Sequence, residues 1–186
     1  MESEIRNKTS KQMMYIGIIS MIMMFAGLTS AYVISSKRED WISFELPQAL
    51  YISTLLIILS SITYLIAKKN IQKEKRNQTT LFLILTLVLA LAFVFFQIEG
   101  FNQLREVGLY FTGEGSVVSS SLLVAISFAH LLHVAAGIIV LLVVIFNHLN
   151  HKYKVNDALG LEVGGIFWHF VDILWIFLFL FFYFIT

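Results

Sequence analysis

The sequence predicts an all-α integral membrane protein, a bundle of five transmembrane helices that forms one domain over residues 1–186. Three observations predict it. Of the 186 residues, 58% are hydrophobic and 13% are charged, whereas a soluble domain is about 45–50% apolar and about 25% charged. Five apolar runs are each long enough to cross a bilayer core of about 30 Å. The basic residues flank these runs asymmetrically, as they do in membrane proteins.

Each apolar run predicts one helix, because backbone polar groups within lipid must be satisfied inside the segment itself. The first run contains no charged residue, and the second has Pro47 near its first turn, where a missing N–H costs little. The predicted helices cover about residues 12–35, 46–67, 79–98, 117–146 and 163–186.

The distribution of lysine and arginine predicts the orientation. Ten of the 13 basic residues lie before the first run or in the second and fourth connections, including the segment 68–76 and Lys152 and Lys154. The other side carries only Lys37, Arg38 and Arg105. Cytoplasmic loops are enriched in basic residues, so the N-terminus is predicted to be cytoplasmic and the C-terminus outside. The segment 68–76 then serves as a topology signal and as a contact for lipid headgroups.

Composition excludes several functional classes. The chain contains no cysteine, which removes disulfides, iron–sulfur clusters, zinc ribbons and thiolate-bridged copper centres. The net charge of +1 gives no electrostatic basis for a nucleic-acid partner. Any chemistry within the chain must use histidine, carboxylate or tyrosine side chains.

Two histidines occur near the middle of the fourth predicted helix. His130 and His133 are three residues apart, which places both imidazoles on one helix face. One interpretation is a metal or haem site; the favoured one is a hydrogen-bonding pair that joins helices or holds lipid or water. Only His169 is available as a further membrane histidine, because His148 and His151 are predicted to be solvated in a cytoplasmic loop.

The fifth predicted helix carries a polar stripe. Steps of three and four residues place Glu162, Gly165, His169 and Asp172 on one face. Burying a lone ionised carboxylate at the depth of Asp172 would cost roughly several kcal/mol. The carboxyl group must therefore be paired, hydrogen-bonded or protonated. His169, one turn earlier, is the expected partner. A packing pair is favoured over a proton relay.

Methionines cluster in the first predicted helix, namely Met13, Met14, Met21, Met23 and Met24. A copper channel is conceivable, but flexible thioether side chains more often fill an interface between helices. Gly164 and Gly165 in the fifth helix are expected to let another backbone approach closely.

Two motifs together resemble subunit III of the haem–copper terminal oxidases. The segment from Gly160 to Phe179, GLEVGGIFWHFVDILWIFLF, is similar to the last helix of that family, whose signature is a Glu, small residues and then WHFVDxxW. The fourth-helix segment HLLHVAAG, from His130 to Gly137, is similar to the family's HxLHVxxG. The resemblance is weaker over the first three helices and implies a five-helix bacterial form without two leading helices. The family usually has a buried Glu after the serine matched by Ser20, where this chain has Met21.

The resemblance implies an accessory, non-redox subunit of a cytochrome c oxidase in the bacterial inner membrane. It implies a haem-bearing subunit I, further oxidase subunits, phospholipids and a larger respiratory supercomplex as partners. Haem and copper are then expected in partner subunits and none in this chain. Such a subunit supports assembly, lipid binding, proton uptake and the stability of the catalytic subunit. Lipid, packing and hydrogen-bond roles, and no catalytic or metal-binding roles, are implied for His130, His133, Glu162, Trp168, His169, Asp172 and Trp175.

Other functions stay open at the level of sequence. Quinol oxidases and some nitric oxide reductase systems have similar five-helix subunits, and the site for their electron donor lies on other subunits. An independent membrane cytochrome or transporter that uses the same histidines and Asp172 is the alternative from another class. It would have to bind haem, metal or substrate as an isolated chain.

Overall fold

A computed structural model describes residues 2–111, 113, 116–151, 153 and 159–185. The described residues form five helices, and each is long and apolar enough to cross a membrane. The predicted all-α, multi-pass membrane fold is therefore confirmed. The helices are α1 (Glu2–Ser35), α2 (Gln48–Gln72), α3 (Arg76–Glu106), α4 (Val118–Leu149) and α5 (Leu159–Ile185).

Most of the helices extend beyond the apolar runs that predicted them. Helix α2 continues through Lys68 and Lys69 to Gln72, and α3 continues to Glu106. Hydropathy marks only the part of a helix that matches the hydrocarbon core, and lysine and glutamine are good helix formers beyond it. The second connection is thus residues 73–75 alone. Lys152 and Lys154, which entered the orientation argument, and Thr186, the predicted end of the fifth helix, lie outside the described residues.

The end of α3 has a specific glycine stop. Gly108 has φ of 81°, the left-handed conformation that glycine adopts without steric cost. Its N–H donates to the carbonyl of Arg105 at 3.0 Å, and the N–H of Leu109 donates to the carbonyl of Leu104 at 3.0 Å. These two bonds form a Schellman motif, which satisfies the last carbonyls of the helix. Helix α2 begins directly after Pro47.

Packing is uneven across the bundle. Consecutive helices α2 and α3 share the most extensive interface, whereas α1 contacts only α4 and α5 among the described helices. Half of the α5 span is buried inside the bundle, against 17% of the α1 span. Helix α5 is therefore the central element, and α1 lies at the periphery.

The exposed face of α1 carries two methionines of the cluster that was expected to fill a helix interface. Met13 and Met23 are 70% and 71% exposed, so neither packs into an interface within this chain. The buried face of α1 instead carries Phe25, which joins the main core cluster. Methionine at an exposed position of a membrane helix faces lipid or another protein.

Candidate functional site

The buried polar side chains of α5 are the centre of the candidate site. Trp168, Asp172 and Trp175 are each 2% exposed or less. Both indoles donate hydrogen bonds to hydroxyls of α2: Trp168 Nε1 to Ser60 Oγ at 3.1 Å, and Trp175 Nε1 to Thr54 Oγ1 at 3.0 Å. Because the two tryptophans are two helical turns apart, these bonds hold α5 against α2 at two depths.

His169 bonds across the helix interface. Its Nδ1 lies 2.7 Å from Ser61 Oγ of α2, and its ring meets the ring of Tyr64 edge to face at 5.5 Å. The expected pairing of His169 with Asp172 is wrong, because His169 Nε2 and both Asp172 oxygens have no hydrogen-bond partner in the described part of the chain. Ser61 on the facing helix occupies Nδ1 instead.

Asp172 is the deepest carboxyl group of the stripe. It is 1% exposed, and neither of its oxygens is hydrogen-bonded to a described residue. Removing a carboxyl from water without a partner is costly. Asp172 is therefore a buried side chain of α5 whose need for hydrogen bonds is not met by the described residues.

Tyr64 explains why small residues occur at the start of α5. Its hydroxyl donates to the carbonyl of Leu161 at 2.9 Å, and a Cβ built on Gly165 would lie 2.8 Å from its Cε1. Gly164 has the Tyr64 hydroxyl at 3.1 Å from the corresponding position. The two glycines thus admit an aromatic side chain, and not the backbone that the sequence argument expected.

Glu162 lies at the end of the stripe and forms an ion pair with a different helix. Lys11 Nζ of α1 lies 2.5 Å from Glu162 Oε2, and the two side chains are 38% and 37% exposed. Lys68 of α2 also acts on Glu162 electrostatically. The ion pair therefore joins the start of α5 to the first part of α1.

The two histidines of α4 share one face, as predicted. Both rings contact Phe25 of α1, with centroid distances of 6.4 Å for His130 and 5.6 Å for His133. Their surroundings differ. His133 Nδ1 lies 2.7 Å from the carbonyl of Ala129, whereas His130 is wholly buried between Phe93 and Trp175 and neither ring nitrogen has a partner among the described residues.

His148 was expected in a solvated loop, and that expectation is wrong. It lies in the last turn of α4, 3% exposed, with Nε2 3.1 Å from Thr80 Oγ1 of α3. The helix extends beyond the apolar run, which carries His148 into the interface with α3. His151 is exposed and contacts Arg76.

Comparison with known proteins decides the family. The family model described as cytochrome c oxidase subunit III matches residues 4–186. The chain belongs to the cytochrome c oxidase subunit III family.

Three proteins named cytochrome c oxidase subunit 3 illustrate the similarity. The one from Drosophila melanogaster is 31% identical over 139 residues, 75% of this chain and 51% of its own length. The one from Spodoptera frugiperda is 30% identical over 74% of this chain and 87% of its own length. The one from Alkalihalophilus pseudofirmus is 27% identical over 83% of this chain and 73% of its own length. The chain thus spans about half the length of several relatives it matches.

Sequence reasoning missed one group of site residues in this subunit III family member. These are the hydroxyl side chains of α2 that form hydrogen bonds with α3 and α5. Ser53, Thr54, Ser60 and Ser61 all contribute a hydrogen bond to α3 or α5. The sequence does contain a pattern that indicates them. The pairs Ser53–Thr54 and Ser60–Ser61 are seven residues apart, which places them on one face of a mainly apolar helix. Interhelical hydrogen bonds from serine and threonine are a common means of association in membranes.

The connection between α1 and α2 of the subunit III chain contains a further ion pair. Arg38 contacts both oxygens of Asp40, with Nε 2.8 Å from Oδ1 and Nη2 2.9 Å from Oδ2. The hydrogen bond from Arg38 holds the pKa of the Asp40 carboxyl below its ordinary value. The two side chains are 59% and 54% exposed, so this pair orders the connection and contributes little to stability.

Within the part of the subunit III chain that the structure describes, no group of three or more histidine and carboxylate side chains could hold a metal ion. Of the membrane histidines, His133 is bonded to its own helix and His169 to Ser61. His130 is enclosed by aromatic rings. The α5 side chains of this arrangement join helices through hydrogen bonds to α2.

Proposed function

We propose that this chain is the accessory, non-redox subunit III of a cytochrome c oxidase complex in aerobic respiration. The family match over residues 4–186 carries the proposal. The polar groups of α5 support it, because Trp168, His169 and Trp175 are all engaged in hydrogen bonds to α2. Such groups stabilise a scaffold, and electron transfer then takes place in partner subunits that hold haem and copper. The chain supports assembly, proton uptake and the stability of the catalytic subunit.

The partners are a haem-bearing subunit I, other oxidase subunits and phospholipid, within a complex that can join a larger respiratory supercomplex. The exposed apolar face of α1 supports a lipid or protein neighbour on that side. Between α1 and α5 lies an apolar groove of about 570 Å³, lined along both helices from Ile22 to Val33 and from Phe170 to Phe181. Its length and apolar lining suit an acyl chain of a phospholipid.

Co-purification tests the proposed function. A tagged copy of the chain, expressed in its native host and extracted in mild detergent, is expected to retain a large subunit with a haem absorbance spectrum. The chain purified alone is expected to show no haem absorbance and no stoichiometric metal. Haem bound by the isolated chain, or a chain that functions without partners, would refute the proposal. Oxidation of quinol and not of cytochrome c by the purified complex would reassign it to a quinol oxidase.

A further inference from the structure

Polar side chains from three helices form one layer in the middle of the bundle, around the rings of Phe93 and Trp175. We call this set the central polar layer. Each member is 9% exposed or less. The members are Ser53 and Thr54 of α2, Gln97 of α3, and Ser127 and His130 of α4.

The α2 side of the central polar layer is fully hydrogen-bonded. Ser53 and Thr54 each donate to the carbonyl of Leu50, at 2.9 and 2.7 Å. They accept in turn from Gln97 Nε2 at 2.9 Å and from Trp175 Nε1 at 3.0 Å. Every hydroxyl on this side therefore both donates and accepts.

The side between α3 and α4 is different. Gln97 Oε1, Ser127 Oγ and both ring nitrogens of His130 are buried and have no partner among the described residues. Leaving one buried polar group without a hydrogen bond costs about 1–3 kcal/mol. Three side chains of one layer, each with at least one unpartnered polar atom, point to a ligand that joins them.

Helix register brings these groups to the same region. The rings of Phe93 and His130 face each other across the α3–α4 interface with centroids 6.1 Å apart. Helices α3 and α4 are successive spans and run antiparallel. Gln97 follows Phe93 by four residues and Ser127 precedes His130 by three. Both therefore lie about one helical turn from the ring contact, toward the same end of the bundle.

A second observation is that Ser127 and His130 do not form hydrogen bonds within α4. Most buried hydroxyls of this bundle donate to a carbonyl of their own helix, as Thr29 does to Phe25 and Thr86 does to Phe82, whereas Ser127 does not. Likewise, His133 bonds the carbonyl of Ala129, but His130 makes no such bond. Both side chains thus forgo the local bond that serine and histidine form readily in a helix.

We propose that Gln97 Oε1, Ser127 Oγ and a ring nitrogen of His130 together bind one ordered water molecule. A buried water typically makes about three hydrogen bonds to polar groups that are otherwise unsatisfied. One water donates to Gln97 Oε1 and to the free imidazole nitrogen, and it accepts from the Ser127 hydroxyl. The ligand is neutral because none of the three groups is a carboxylate and the His130 ring lies among Phe25, Phe93 and Trp175, where a charged species would be costly.

The wild-type protein tests this directly. We expect a cryo-EM map of the full chain, in its complex or in lipid nanodiscs, to show compact density between the three groups at a resolution that reveals ordered water. The expected distances to Ser127 Oγ, Gln97 Oε1 and a His130 nitrogen are about 2.7–3.2 Å. Absence of density, with the Ser127 hydroxyl bonded to the carbonyl of Leu123, would overturn the proposal. Density at about 2.0–2.1 Å would identify a metal and overturn it as well.

A thermodynamic cycle gives an independent readout. Ser127→Ala and His130→Phe act on the same water, so the loss in melting temperature from Ser127→Ala is expected to shrink at least twofold in the His130→Phe background. Ser120→Ala is the matched control, because Ser120 lies on the same helix and bonds the carbonyls of Tyr110 and Val117. Its effect is expected to be the same in both backgrounds. Full additivity of Ser127→Ala and His130→Phe would contradict the shared water, and if His130→Phe fails to fold, the wild-type map decides.

Discussion

At the scale of single residues, the sequence placed Asp172 deep in the bundle but misplaced His148 and did not reveal the partners of the polar side chains. A helical stripe orders side chains along one helix, so it located Asp172, His169 and Glu162. It contains no information on the facing helix. The bond of His169 to Ser61 and the ion pair of Glu162 with Lys11 therefore became visible only in the folded chain. The ion pair of Glu162 with Lys11 could have been predicted, because the first and fifth helices begin on the same side of the membrane.

Asp172 provides the functional prediction at this scale. Asp172→Ala truncates a side chain that is 1% exposed and leaves a cavity in the packed bundle, so we expect a loss in stability of about 0.5–3 kcal/mol. The altered subunit should lower the amount of assembled oxidase or its sustained turnover, and leave the first catalytic cycle intact. Stopped-flow measurement of the first turnover and steady-state oxygen consumption separate the two effects.

Asp172→Asn is the matched variant, because it keeps the shape and a hydrogen-bonding group at the same place. It is expected to retain more assembled complex than Asp172→Ala. A normally assembled complex that has lost its first turnover would contradict the assignment of Asp172 to a non-catalytic role.

At the scale of helices, hydropathy predicted the number and order of the elements but not their ends or their packing. The apolar run that ended near residue 146 continues as a helix to Leu149, and this extension buries His148 against Thr80. Helix ends depend on caps and on polar helix formers, which a hydropathy criterion ignores. Hydropathy also does not reveal which group packs against Gly164 and Gly165. In the structure this group is the Tyr64 side chain.

The contact between α2 and α5 can be tested at Gly165. Gly165→Ala would place a Cβ 2.8 Å from Tyr64 Cε1, so the tyrosine ring must move away from Leu161 and weaken its hydrogen bond. We expect a destabilisation of about 1–3 kcal/mol, measured as a lower melting temperature of the detergent-solubilised chain. Gly27→Ala is the control, because no atom lies within 4 Å of the corresponding Cβ in α1. It is expected to be neutral or stabilising by about 0.5–1 kcal/mol, and equal losses at both glycines would contradict the packing argument.

At the scale of the whole molecule, the bundle has a central helix, α5, and a peripheral one, α1. Composition predicted a membrane protein because the balance of apolar and charged residues is a property of the entire chain. It could not predict which helix is central, since α5 owes its position to Trp168 and Trp175 and their bonds to α2. The unburied surface of α1 is consistent with a subunit that has neighbours in the membrane.

The orientation of the bundle is the prediction that belongs to this scale. The charge distribution places the N-terminus and the connection 73–75 in the cytoplasm, and the connection that contains Glu39 outside. Because the chain has no cysteine, single substitutions report exposure without background. We expect Glu39→Cys to react with a membrane-impermeant maleimide in intact bacterial cells, and Lys75→Cys to react only after the membrane is opened. Both positions lie in exposed connections, so neither variant should disturb the helices. Labelling of Lys75→Cys in intact cells, with Glu39→Cys protected, would invert the orientation and refute the topology inferred from charge.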